Sequence, residues 1–275
     1  MSLLAPAPAR GAAGAPAPVR TGPGAGEDHP AVRLDAVSRR FGTGPTAVLA
    51  LDRVSLDVAA GEFTCIVGAS GCGKSTLLNL VAGLDAPSAG TVSTYRSRVA
   101  LMFQEAALMP WLTVGQNVEL PLRLAGVARA ARRRRAAELL STVRLDGCAG
   151  KRPHELSGGM RQRVSLARAL AQDADVLLMD EPFGALDAMT RDMLHDELER
   201  VWRETGVTVL FVTHNVREAV RLGDRIVLLS SRPGRVAAGF DVALARPRRI
   251  DSVEVAELAA SVTDALREEV RRHGR

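Results

Sequence analysis

Three short stretches of this chain bring together residue types that act on phosphates. Gly68-Ala69-Ser70-Gly71-Cys72-Gly73-Lys74-Ser75 fits G-x-x-x-x-G-K-[ST], between a compact apolar run, Phe63 to Val67, and a segment of helical spacing from Lys74 to Val81. Strand, glycine turn and helix in that order form a phosphate loop. The glycines let backbone N–H groups curl inward, and the helix start adds positive potential. Gly68, Ser70, Gly71, Cys72, Gly73, Lys74, Ser75 and Thr76 are therefore expected to hold nucleotide phosphates, with Lys74 reaching the β- and γ-phosphates and the Ser75 hydroxyl ligating Mg²⁺. Because Cys72 lies inside this loop, alkylating it is expected to block nucleotide binding.

The second stretch, Val176-Leu177-Leu178-Met179-Asp180-Glu181, is an apolar strand ending in two carboxylates. Asp180 is suited to hold the metal through water and Glu181 to polarise an attacking water. The third, Leu156-Ser157-Gly158-Gly159-Met160-Arg161-Gln162-Arg163, places a serine and two glycines at a helix start, a second anion-binding terminus. Taken alone, these two are equally a strand end with surface charges and a serine N-cap before a glycine turn. One phosphate chain has no need of two cradles, however. The first and third stretches together point to a head-to-tail homodimer, or a pseudo-symmetric pair, in which Ser157, Gly158 and Gly159 of one copy complete the site of the other.

The elements that must position these residues follow from hydrophobic spacing. Val32, Leu34 and Val37, then Val48 to Leu51, then Val54, Leu56 and Val58 alternate as short strands separated by polar turns, an antiparallel entry. Val99 to Phe103 is another strand, and Thr113–Leu120 and Arg129–Leu140 are helical in pattern, so a helical insertion over about 105–165 is expected. Helix from Gly158 to Ala171, strand Val176–Met179, helix Ala188–Glu204, strand Val207–Val212, a short helix and strand Arg225–Leu229 alternate as a mostly parallel sheet requires. Val255, Leu258, Val262, Leu266 and Val270 share one face of a final helix. Residues 1–28, almost all Ala, Pro, Gly and Arg, are expected to be a disordered tail, 29–245 one ATPase domain and 246–275 a short helical extension. Arg129 and Arg132 to Arg135 read as a solvated helix face.

In order and spacing, Gly68 to Thr76, Leu156 to Arg163 and Val176 to Asp187 resemble the Walker A, signature and Walker B/D-loop segments of ABC-transporter ATPases, over about residues 31–245. The resemblance implies an α/β P-loop cassette: a mostly parallel core sheet, an N-terminal antiparallel β-subdomain and an inserted α-helical subdomain. It also implies ATP and Mg²⁺ as ligands. By the same resemblance, Gln104 corresponds to the Q-loop glutamine, touching Mg²⁺ or the lytic water, and His214 to the switch histidine that holds the γ-phosphate and orients Glu181. Phe41 lies where the family stacks an aromatic on adenine, and Asp187 of the D-loop is expected to face the partner copy. Two departures stand out: Met160 replaces a common Gln, and Gly90 to Val99 is short for an antiparallel hairpin.

Composition narrows the class further. Three cysteines without paired spacing argue against a disulfide framework or structural zinc and fit a reducing compartment. The formal charge is +5, but basic residues are scattered and aromatics make up 3%, too few for base-stacking platforms, so nucleic acid is not an expected partner. No apolar run reaches the roughly 18 to 20 residues of a membrane span. A chromosome-type relative would carry a long coiled-coil insertion and a translation-type relative two cassettes; neither pattern occurs. Gln104 to Trp111, Glu181 to Asp187 and Ser231-Arg232-Pro233-Gly234-Arg235 resemble the nitrate/sulfonate/taurine/bicarbonate importer ATPases, and Arg246-Pro247-Arg248-Arg249 the aliphatic-sulfonate members. That resemblance implies a peripheral subunit on the cytoplasmic face of the cell membrane, with permease subunits and an extracytoplasmic solute-binding protein as partners. A soluble regulatory or repair ATPase using the same dimer without a permease is the alternative.

Overall fold

The computed structural model describes residues 29–273 except 96 and 185, so the expected tail at 1–28 lies outside the described residues. Strands β1 (Val32–Phe41) and β2 (Val48–Val58) pair antiparallel, from Val32 opposite Val58 to Phe41 opposite Val48. Two separate strands were expected over 48–58; one continuous strand is found. Bulges accommodate the polar residues: where the register shifts, Ser55 Oγ accepts from the Ala36 N–H at 3.0 Å and Ser38 Oγ from the Arg53 N–H at 2.9 Å. Hydroxyls thus satisfy donors that the bulges remove from the ladder.

β3 (Phe63–Gly68) starts a second sheet and feeds the glycine loop, and α1 (Lys74–Val81) follows with the expected bounds. β4 (Ala89–Ser93) returns to β1, giving the order β2-β1-β4, and the short stretch after it crosses over to become β5 (Val99–Met102). Next come α2 (Val114–Leu124), α3 (Arg129–Thr142) and α4 (Gly158–Leu170). A capping box starts α2: Thr113 Oγ1 accepts from the Gln116 N–H and Gln116 Oε1 from the Thr113 N–H. It runs past Leu120 and through Pro121. Arg129, Arg133, Arg134 and Arg135 are exposed, and Arg132 is paired with Glu119 at 2.9 Å.

The rest of the chain alternates β6 (Val176–Asp180), α5 (Ala188–Thr205), β7 (Thr208–Val212), α6 (Val216–Leu222) and β8 (Arg225–Leu229), then adds β9 (Val236–Asp241) and α7 (Val253–His273). The six-stranded order is β5-β6-β7-β3-β8-β9, parallel except for β9 against β8. β3 and β7 are buried at every position. Such strands need cover on both faces. Phe63, Cys65, Val67, Met179 and Phe211 face the helical layers, while Ile66, Leu178, Leu210 and Val212 face α1 and the antiparallel sheet with Leu34, Val37 and Leu51. The central strands β3, β6 and β7 all end at one edge, with Ile66 and Asp180 both opposite Val212, so the loops that follow them open side by side. No helix of the described residues is long and apolar enough to cross a membrane.

Candidate functional site

The glycine loop wraps from β3 into α1 through Gly73, whose φ of 103° and a virtual Cβ 2.7 Å from Leu51 Cδ2 leave no place for a side chain. Lys74, the first residue of α1, folds its ammonium back to the carbonyls of Gly68 (2.9 Å) and Ala69 (3.0 Å). Lys74, Ser75, Thr76, Ser70, Gly71 and Gly73 line a cleft of about 290 Å³, together with Phe41, Val48, Ala50, Glu181 and Arg232. Phe41 is 42% exposed there, with the Arg39 guanidinium 4.6 Å from its ring centroid. Cys72 departs from expectation. Its thiol is turned into the core, 1% exposed, and burial pushes its pKa up against the opposing pull of Lys74. A reagent reaches this thiol only through local opening, so alkylation is no simple probe of the loop.

From the neighbouring strand tip, Asp180 is half-buried beside the Ser75 hydroxyl. Burial raises its pKa above the ordinary carboxylate value; the Ser75 hydroxyl opposes that shift, nearby Glu181 adds to it, and Lys74 opposes it. A hydroxyl and a carboxylate side by side are hard oxygen donors of the kind Mg²⁺ takes, one or two from the protein and the rest from phosphates and water. A cation would also relieve the desolvated Asp180. Glu181, with φ 43°, leaves the strand at a sharp angle, and its Oε2 meets His214 Nδ1 at 2.9 Å. A Cβ built on Gly184 would lie 3.9 Å from both Gln104 Nε2 and Glu181 Oε2, so Gln104 closes the same corner.

Ser157, Gly158, Gly159 and Asp187 do not line this cleft. Ser157 caps α4, its Oγ accepting from the Met160 N–H at 3.2 Å, and Asp187 caps α5, its Oδ1 accepting from the Thr190 N–H at 2.9 Å. The latter bond holds the exposed Asp187 carboxyl below its usual range. The two caps touch, since a Cβ on Gly159 would come within 2.4 Å of Thr190 Cγ2. The α4 start is therefore separate from the Lys74 cleft within one copy of the chain.

The ABC transporter family profile matches residues 51–184. The taurine import ATP-binding protein TauB of Rhizobium johnstonii is 46% identical over 252 residues, 89% of this chain and 94% of that protein. The aliphatic sulfonates import ATP-binding protein SsuB 1 of Mesorhizobium japonicum is 44% identical over 256 residues, 91% and 94% of the two chains. The chain belongs to the ATP-binding subunits of ABC transporters. As a member it is an ATPase, and the expected kinship with sulfonate and taurine importers holds. The fold agrees: the ATP-binding cassette MJ0796, solved as a dimer in a post-hydrolysis state bound to ADP and Pi, superposes with a TM-score of 0.69 at 35% identity, covering 78% of this chain and 100% of that one.

Two features of the ATPase were not read from the sequence. Arg232, noted there only within a subfamily motif, lines the cleft. Beneath His214 lies a buried network: Glu218 accepts from the Thr213 hydroxyl and meets His195 Nε2 at 2.5 Å, and Arg221 donates to His195 Nδ1 at 3.1 Å. Since arginine only donates, Nδ1 is the acceptor and Nε2 carries the proton toward Glu218. Glu218 and Arg221, three apart in the short helix Val216–Leu222, were the available signal.

Proposed function

We propose that this chain is the motor subunit of an importer for aliphatic sulfonates, taurine or related anions, working as a head-to-tail pair on the cytoplasmic face beneath permease subunits that receive solute from an extracytoplasmic binding protein. The relatives named for taurine and aliphatic sulfonate import support the substrate class. The observation that carries the catalytic reading is the Glu181–His214 hydrogen bond, which involves the carboxylate on the lining of the Lys74 cleft.

Residues of one copy hold ATP: Phe41 stacks the adenine; the backbone of Gly68 to Thr76, Lys74 and the Ser70 and Ser75 hydroxyls bind the phosphates. Ser75 and Asp180, with Gln104, would hold Mg²⁺, which screens the phosphate charge. Glu181, oriented by His214, accepts a proton from water as the water oxygen attacks the γ-phosphorus. The bond from the γ-phosphorus to the β–γ bridging oxygen breaks, and ADP leaves with the electron pair. Ser157, Gly158 and Gly159 of the second copy close over the γ-phosphate, with Asp187 at the same junction. Closure and reopening of the pair then drive the permease.

A strain lacking this chain is expected to lose growth on an alkanesulfonate or taurine as sole sulfur source. The wild-type chain restores it and Glu181→Gln, which keeps nucleotide binding but loses the base, does not. Undiminished growth of the deletion strain on both solutes overturns the substrate class, and rescue by Glu181→Gln overturns the base role.

A further inference from the structure

The loop from Ser230 to Arg235 is pressed onto the phosphate loop. A Cβ on Gly234 would sit 2.2 Å from the Cys72 carbonyl oxygen and 3.0 Å from Leu51 Cδ2. The Gly234 N–H donates to the Ala50 carbonyl at 2.8 Å, and its own carbonyl accepts from the Asp52 N–H at 3.0 Å. Ser230 Oγ ties the loop internally, donating to the Pro233 carbonyl at 2.8 Å and accepting from the Arg235 N–H at 2.9 Å, while Arg235 is ion-paired with Asp52. A loop fastened at so many points holds the exposed side chain that reaches the glycine loop over one place.

That side chain is Arg232. Its Nε and Nη2 lie 3.4 and 3.3 Å from the Gly71 carbonyl oxygen, at the long end of the hydrogen-bonding range, so one neutral acceptor takes little of its donor capacity. Among the described residues no carboxylate pairs with it, in contrast to Arg235. Arg232 and Lys74 are the two cations on the lining of the cleft.

We propose that Arg232 is a nucleotide-binding residue whose guanidinium binds polyphosphate oxygens of the ATP held by the glycine loop. The triphosphate brings several negative charges, and Lys74 offers one compact positive charge against them. A planar guanidinium binds phosphate through two parallel N–H donors, and exchanging a distant neutral carbonyl for a charged oxygen favours the nucleotide-bound orientation. The proposal rests on the Lys74 cleft being the ATP site.

Equilibrium titration of the purified chain with ATP and ADP, at a concentration where light scattering shows monomer, tests it with Arg232→Gln, Arg232→Lys and Lys74→Ala beside wild type. Arg232→Gln is expected to weaken both nucleotides about tenfold and to flatten the salt dependence, as loss of a charge-assisted contact does. Arg232→Lys recovers part of the affinity, and melting is unchanged because the side chain is exposed. Equal affinity for Arg232→Gln and wild type, with Lys74→Ala impaired, overturns the proposal and leaves the ATP site standing. Unchanged monomer affinity with loss of an ATP-driven dimer also overturns it and assigns Arg232 to contacts with the second copy. A wild-type chain that binds no ATP removes both readings.

Discussion

At the scale of single residues, the site is built from groups that fit the apo protein poorly. Asp180 is the plainest case: a carboxylate at a strand tip, half-buried, with burial the largest influence and its pKa raised. A carboxyl whose folded pKa lies above its unfolded value favours folding only while protonated, and that advantage is lost as pH rises from the ordinary value of 3.8 through the folded one. At neutral pH the charged Asp180 therefore weakens the nucleotide-free fold. Asp180→Asn is expected to raise the melting temperature of the free protein by about 2 °C, the change that ~1 kcal/mol makes in a domain of this size. The gap to wild type should close as pH falls below the carboxylate range, and MgATP should stabilise the variant less than wild type. Differential scanning calorimetry from acid to neutral pH reads all three; a variant less stable than wild type at pH 7 contradicts the argument.

At the scale of elements, α6 is too short to hold itself and depends on what anchors it. Asn215 caps it by accepting from the Arg217 and Glu218 N–H groups, and Glu218 ties it to Thr213 on one side and to His195 of α5 on the other. Removing Glu218 leaves the buried His195 Nε2–H and Thr213 hydroxyl without their common acceptor, at a cost of about 3 kcal/mol for two unsatisfied buried donors. Because Thr213 adjoins His214, Glu218→Ala is expected to lower kcat more than it changes KM; urea melts and steady-state ATPase kinetics separate the two effects, and an equal rise in KM with kcat intact would contradict it. This anchor was illegible in the sequence because its members lie on different elements, 23 residues apart for His195 and Glu218. The phosphate loop was legible for the opposite reason: its residues are contiguous, and glycine spacing alone encodes the backbone curl. The same division holds for the fold. β3 and β6 stood out as dense apolar runs because both faces are covered, whereas β9, Val-Ala-Ala-Gly-Phe-Asp on an exposed edge, carries its pairing in the backbone and leaves no apolar pattern. Arg232 escaped likewise, since only folding brings it against Gly71.

At the scale of the whole molecule, the separation of the α4 start from the Lys74 cleft makes a prediction that one chain cannot satisfy by itself. If Ser157, Gly158 and Gly159 serve a second copy's ATP, then a chain broken only at the glycine loop and a chain broken only at the α4 start should repair each other. Lys74→Ala removes the phosphate cation. Gly158→Asp places a negative charge where phosphate is to bind, and the fold tolerates it: a Cβ there meets Leu186 Cδ2 at an ordinary 3.5 Å, and an acidic residue at a helix start is favourable. Each variant alone is expected to be inactive. Mixed in equal amounts above the dimerisation concentration, half the dimers are mixed, and each of those keeps one of its two sites whole, so ATPase activity should return to at most about a quarter of wild type. A cis arrangement gives a different result, because every chain in the mixture then lacks an essential group and no pairing restores one. A mixture as inactive as its components, with dimers verified by light scattering, would therefore place Ser157 to Gly159 outside the partner's ATP site and reduce them to the N-cap and packing of α4.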